Sequence, residues 1–564
     1  MSGDRYKWIA LSNTTLGVLM ATLDASIVII SLPAIFRGIG LDPLDPGNIG
    51  YLLWMILGYL LAQAVLVVAL GRLGDMFGRV RLYNLGFAIF SVASLALSVD
   101  PFTKSGGALW LIGWRFVQAF GGAMLTANSA AILTDAFPAS QRGMALGVNQ
   151  VTALAGQFLG LVAGGLLAVI DWRAVFWVSV PFGVLGTIWS YRSLREVGSP
   201  KRARIDWAGN LTFVAGTSAI LAAITYGIQP YGGSPTGWGN PLVLTGLGAG
   251  ILVLVVFCVV ETKVAEPMLD LRLMRIRSFM AGNLATLLTS ISRGGLQFML
   301  IIWLQGIWLP LRGYDFEDTP LWAGIYILPL TVGFLIAGPL SGHLSDRYGS
   351  RVFATGGLMI TALSFVGLML LPVRFTYPPF ALLLLACGIG MGMFSAPNTS
   401  SIMSSVPPGR RGVASGMRAT FQNSGSALSI GVFFSLMVAG LSGTLPGALT
   451  SGLESHGVPA SAAAHVASLP PVSTLFAAFL GDNPIGHLLS STGVMGTLPA
   501  QDVAVLTGKR FFPELISGPF HHGLVTVFIS AAVMATIAAM ASALRGGRYD
   551  YTDQAPVEHK EARI

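Results

Sequence analysis

Fourteen apolar runs of 18 or more residues recur from one end of this chain to the other: roughly 8–36, 50–71, 82–99, 109–134, 143–169, 174–192, 207–228, 241–261, 279–309, 321–341, 353–373, 379–404, 416–441 and 521–544. A hydrocarbon core of about 30 Å is crossed by about 20 helical residues, so each run is long enough to span. Composition agrees: 53% of the 564 residues are hydrophobic, 10% are charged, and mean hydropathy is +0.71. A soluble domain carries about a quarter charged residues. In lipid, helices satisfy their own backbone hydrogen bonds. The sequence therefore predicts an all-α integral membrane protein with fourteen transmembrane helices.

Lysine and arginine set the orientation. With the N-terminus inside, the inward loops, inner helix ends and tails hold 24 of the 33 basic residues, including Arg192, Arg195, Lys201, Arg202 and Arg204 after helix six. Outward loops hold Arg37, Lys104, Arg173, Arg312, Arg374, Lys509 and Arg510, and Arg115 and Arg293 fall inside predicted helices. The net charge of +8 thus reflects topology and requires no nucleic-acid partner. Both termini are expected in the cytoplasm and the chain in the plasma (inner) membrane of a bacterium. The basic, then apolar start resembles a signal peptide, but its apolar run is too long and carries Asp24, so it reads as an uncleaved first helix. Cys258 and Cys387 lie in predicted spans and read as small apolar fillers. No metal or cofactor is expected.

The chain repeats itself. Residues 71–79 read GRLGDMFGR and residues 342–351 read GHLSDRYGSR, with Asp75 and Asp346 271 residues apart. Residues 142–147 (RGMALG) are echoed at 411–416 (RGVASG), 269 residues on. Two motifs at nearly one offset indicate a duplicated half, as secondary transporters are built. Fourteen then divides as six, two and six. Residues 1–200 form one six-helix bundle, 201–278 a linker with two inserted helices, and 279–545 a second six-helix bundle. A long outward loop occupies 442–519 and a cytoplasmic tail 546–564. The loop's best apolar stretch, near Leu475–Leu480, is too short to span. It fits an external lid, a short interfacial helix or a plain surface insertion.

Several motifs are specific. They are GRLGDMFGR in the loop after helix two, LDASIVIISLPAI with Asp24 and Pro33 in helix one, and RFVQAFGGA from Arg115 to Ala123. DWRAVFWVSVPFG (Asp171–Gly183) leads into helix six and IDWAGN (Ile205–Asn210) into helix seven. On these the chain resembles the major facilitator superfamily, and more closely its fourteen-helix drug:proton antiporters, over nearly its whole length. The resemblance implies the major facilitator fold, proton-driven export of drugs, a proton-transfer role for Arg115 and an inner-gate latch at the loop motif. One departure stands out: GQFLGLVAGG carries Leu161 where the antiporter motif of helix five has proline, although Gly156, Gly160, Gly164 and Gly165 keep the helix able to pack closely.

Asp24 is the one acidic residue well inside a predicted span. Burial favours its neutral form and a nearby arginine its charged form, so it can load and release a proton; the alternative is a permanent ion pair. Arg115 is its natural partner. The repeat offset maps Asp24 onto Arg293, which would place an acid and a base at matching depths, facing each other across a cavity. That cavity, net positive with no spare carboxylate, suits neutral, zwitterionic or anionic amphiphiles, lipids included. Gly71, Asp75, Gly78 and Arg79, repeated as Gly342, Asp346, Gly349 and Arg351, make either a gate or a plain turn, with Asp75 capping a neighbouring helix. Trp54, Phe116, Gln118, Phe298, Trp303 and Asn398 are candidate substrate contacts or simple packing.

The expected function is proton-coupled export of amphiphilic small molecules, with Asp24 as the coupling site. The second reading is export or flipping of a native lipid or metabolite. The sequence holds no phosphate-binding loop, HExxH or GxSxG motif, so a transporter is favoured over an enzyme; a non-transporting membrane receptor is the less favoured third reading, since Asp24 and the gate motifs are kept. Oligomeric state is not legible.

Overall fold

The computed structural model describes residues 3–42, 45–138, 141–197, 206–264, 267, 269–407, 410–481, 483–491 and 493–545. The basic run Lys201, Arg202 and Arg204 and the tail 546–564 lie outside them. Among the described residues, fourteen helices are long and apolar enough to span. We label them α1 (Gly3–Ile39), α2 (Ile49–Phe77), α3 (Arg79–Ser98), α4 (Lys104–Ala136), α5 (Arg142–Ile170), α6 (Ala174–Ser193) and α7 (Trp207–Ile228). There follow α8 (Pro241–Lys263), α9 (Arg277–Leu311), α10 (Thr319–Tyr326 and Leu328–Tyr348), α11 (Ser350–Met369), α12 (Tyr377–Ser404), α13 (Arg411–Ser442) and α14 (Phe511–Ala543). The face on which α1 begins is called the N face, its opposite the far face.

The two halves are built alike. α1 packs on α5 as α9 packs on α13; α4 takes α2 and α3 as α12 takes α10 and α11; α6 lies on α3 as α14 lies on α11. The repeated loop motif shows why glycine is needed. Gly78 has φ +107° and Gly349 φ +90°, a region that side chains avoid, so each lets one helix stop and the next begin within a single residue. The α1–α5 seam depends on missing side chains. A Cβ at Gly156 would stand 2.8 Å from the Leu19 carbonyl, and one at Gly164 2.8 Å from that of Ile27, while Gly160 abuts the Leu23 carbonyl. Gly165 points elsewhere, to the second half, where a Cβ would lie 2.5 Å from Leu321 Cα.

The last helix begins ten residues before the expected 521, because Phe512, Pro513 and Ile516 are buried anchors that the polar Glu514, His521 and His522 dilute in an average over the sequence. The connection between α13 and α14 is therefore 443–510. It is not a surface insertion. Helices Ala460–Ala467 and Pro471–Leu480 meet at 85°. Every residue of the second is buried, with Val472, Phe476 and Ala477 at 0% exposure. It packs against α1, α13 and residues Leu304–Trp308, where α9 opens into a π-helical turn. An apolar helix ten residues long cannot span, but it can re-enter.

Candidate functional site

Five helices of the first half converge on one carboxylate. Asp24 sits midway along α1 with no exposed surface. From α4, Arg115 Nη1 donates to its Oδ2 at 2.5 Å, and one turn on Gln118 Nε2 donates to its Oδ1 at 2.9 Å. Ser179 of α6 donates to Oδ1 at 3.4 Å. Gln118 Nε2 also reaches Ser94 Oγ of α3 at 2.9 Å, and its Oε1 accepts from Arg115 at 2.8 Å. Tyr59 of α2 places its ring 3.9 Å from the guanidinium carbon. Each charge is thus paired and the carboxylate is hydrogen-bonded, the condition under which a buried ion pair persists. Arg115 Nε alone lacks a partner. Gln118, expected among substrate contacts, belongs to this network.

Arg293 does not face Asp24. It lies midway along α9 and donates from Nη2 to Gln157 Oε1 of α5 at 2.6 Å, a bond between the halves, with the Phe334 ring 5.7 Å from its guanidinium. Asp24 instead turns inward among the helices of its own bundle. Arg418, counted above with the inward basic residues, lies within α13 and donates to Gln422 at 2.9 Å. Arg293 and Arg418 are both half-buried. Among the described residues neither is paired with a carboxylate.

Toward the far face the two halves close on each other. Leu161 and Gly165 of α5 press against Gly324 and Leu321 of α10. Gln305 Nε2 donates to the Ile30 carbonyl at 3.4 Å across the halves. Helix Pro471–Leu480 fills the rest: Phe476 stacks on Phe434 with centroids 5.2 Å apart, and Phe434 lies on Phe298. Phe298 is therefore part of the closure, buried to 2%. Trp303 is not a cavity contact at all; it is locked among Phe375, Phe380 and Phe528 in the core of the second half. Trp54 and Phe116 remain half-buried and in contact, with Tyr226 of α7 edge-on to Trp54.

At the N face, Arg79 joins Asp75 and Asp135, each at 2.7 Å. Among the described residues Asp75 caps no helix. Glu196, beyond α6, caps α3, accepting the N–H groups of Arg79 at 2.8 Å and Val80 at 3.1 Å. These contacts stay within the first half. Gly71 faces Ala127 and Gly342 faces Ala396, each near 3.4 Å from a built Cβ (3.5 and 3.3 Å). Arg351 is exposed, and the Asp346 side chain lies outside the described residues. Asn398 is also tied down: its amide donates to the Gly282 carbonyl at 3.2 Å and to Thr286 at 2.8 Å, and its oxygen accepts from Arg545. Arg545, just past α14, is 4% exposed, and burial pushes its guanidinium down to about 10. Sequence reasoning missed Tyr59, Ser94, Ser179, Asp135, Glu196 and Arg545. Only Asp135 and Glu196 gave a signal, as acids at the same membrane edge as Arg79.

The family model of the Major Facilitator Superfamily matches residues 14–430. The chain is 29% identical over 442 residues to the riboflavin transporter RibZ of Clostridioides difficile, covering 78% of this chain and 90% of that one. It is 31% identical over 452 residues to the multidrug resistance protein Stp of Mycobacterium tuberculosis, covering 78% of each. A tetracenomycin C resistance and export protein of Streptomyces glaucescens is 26% identical over 553 residues, covering 98% of this chain and 94% of that one.

Proposed function

The chain belongs to the Major Facilitator Superfamily, and on that premise we propose that it is a proton-coupled exporter of amphiphilic small molecules in the bacterial inner membrane, with the N face in the cytoplasm. The observation that carries this is the Asp24–Arg115 pair: a carboxylate at mid-membrane, wholly buried, whose one cation is held by alternative partners. A proton arriving at Asp24 neutralises it, and Arg115 retains Gln118 and the Tyr59 ring. The helices α1, α4 and α6 then lose one ionic tie, which biases the bundle between its two arrangements. A driving force of about 150 mV is worth about 3.5 kcal/mol per proton. That supports a gradient of a few hundredfold, at about 1.4 kcal/mol per tenfold. The multidrug and export relatives support this cargo and direction. The closed far face supports a cavity that faces the cytoplasm.

The half-buried cations Arg293 and Arg418 support neutral or anionic cargo over cationic dyes. That also supports a second reading, export of a native metabolite or lipid, to which the riboflavin-transporter relative adds weight. Reconstituted vesicles with an imposed pH gradient test both readings. Wild type should move a neutral or anionic amphiphile against its gradient, and Asp24→Asn should abolish only the coupled movement. Asp24→Asn transporting like wild type would sink the coupling assignment. Preference for cationic dyes would sink the cargo assignment.

A further inference from the structure

The inserted helices carry a pair of acids that the proposed coupling at Asp24 does not use. Asp206 immediately precedes α7, and its Oδ1 accepts the Gly209 N–H at 2.7 Å, capping that helix. Glu261 lies two residues from the end of α8, and its Oε2 accepts the Leu269 N–H at 2.8 Å. Asp206 is 5% exposed and Glu261 3%. Among the described residues, each has one oxygen without a hydrogen-bond partner, Asp206 Oδ2 and Glu261 Oε1. These two oxygens converge on one spot, since both crowd the position a Cβ would take on Gly209. A side chain there would displace them; glycine lets the carboxyl groups meet.

Two acceptors facing each other out of water, with no donor between them, repel if both are ionised and are each left unsatisfied. One proton removes both penalties, because the protonated oxygen donates to the other. We propose that Asp206 and Glu261 share one proton and form a proton site distinct from Asp24, at the N-face end of the two inserted helices.

The surroundings give that proton a task. Leu269, which Glu261 holds, is in the strap that follows α8. Arg72, inside the loop motif of α2, donates to the Pro267 carbonyl of the same strap at 3.1 Å. Asp270 pairs with Arg410, between α12 and α13, at 2.8 Å. Through Pro267 and Asp270 the strap is thus tied to both halves of the molecule. Arg72 is the cation acting on Glu261 from α2, Cys258 faces it from one turn back on α8, and the Asp270–Arg410 pair closes the strap on the other side. With the proton in place Glu261 holds the strap. Without it the two carboxylates repel, Glu261 is drawn to Arg72, and the tie between the halves loosens. The site is therefore a pH-responsive fastening; its placement in the cytoplasm rests on the proposed orientation, its proton does not.

Infrared titration of the full-length protein in nanodiscs tests this without requiring transport. In a background carrying both Asp24→Asn and Asp100→Asn, which removes the other two buried acids, the carbonyl stretch of a protonated, hydrogen-bonded carboxylic acid should disappear as pH rises. It should be missing throughout from Asp206→Asn and from Glu261→Gln added to that background. Glu261→Gln also supplies a permanent N–H donor to Asp206, so its thermal midpoint should stay flat over the pH range in which the parent loses stability. A band unchanged in both variants would overturn the proposal. So would a band displaced by sodium at constant pH, which would make this a cation site. Glu261→Gln sharing the parent's pH-dependent midpoint would overturn it as well. Failure of the export reading leaves each of these readouts intact.

Discussion

Asp24 can stay ionised inside the bundle only while Arg115 is there. Removing one member of a buried pair leaves the other uncompensated, a loss of about 3–5 kcal/mol, whereas removing both is often close to neutral. Arg115→Leu should therefore lower the thermal midpoint in detergent sharply, and Asp24→Asn combined with Arg115→Leu should recover much of that loss. Additive effects would mean the two do not act as a pair. A second buried acid answers to pH in a known direction. Asp100, in the turn between α3 and α4, is 2% exposed, and burial raises its carboxyl above the ordinary range despite the Phe102 N–H and Arg173. A folded-state value above the unfolded one means stability is greatest in acid and falls as pH rises through the raised value. Asp100→Asn should remove that part of the pH dependence, read from melting curves across acid to neutral pH. Both acids were present in the sequence, but only Asp24 declared itself, because an acid within an apolar run is costly wherever it points. Asp100 sits in a turn, and its burial depends on packing no local pattern encodes.

At the scale of elements, the fourteen helices and the six-two-six division were legible because span length and a repeated motif are local properties. The buried helix Pro471–Leu480 was not. A length criterion asks whether a run crosses the bilayer, and ten residues do not; that it is swallowed whole between α1, α9 and α13 follows from the gap those helices leave. The glycines of α5 show the opposite case. Their spacing revealed a face for close packing, while Gly165 turning to the other half needed the structure. The burial of Thr474 makes a direct prediction. With Cys258 and Cys387 replaced, Thr474→Cys should resist a membrane-impermeant thiol reagent applied from the far face at rest. It should react once the far face opens during turnover. Rapid labelling at rest would show that the helix does not plug the mouth.

For the whole molecule, alternating access requires that the far-face closure be reversible. Its tightest part is the crossing of α5 over α10, where Leu321 Cα lies 2.5 Å from the place of a Cβ on Gly165. Backbones that close cannot accept a side chain without separating, and packed interfaces respond to such insertions by switching arrangement more readily than by stretching. Gly165→Val should therefore disfavour the closed far face and shift the population toward the arrangement open on that side. The helix Pro471–Leu480 shares this closure, so the same substitution should unplug it. In a Gly165→Val background, Thr474→Cys should label faster from the far face at rest, and labelling of a cysteine at Gln150, exposed on the N-face half of α5, should slow. The two changes are coupled if the halves rock as rigid bodies. Faster labelling at Thr474 with none of the matching decrease at Gln150 would mean that the plug moves on its own and the bundles do not.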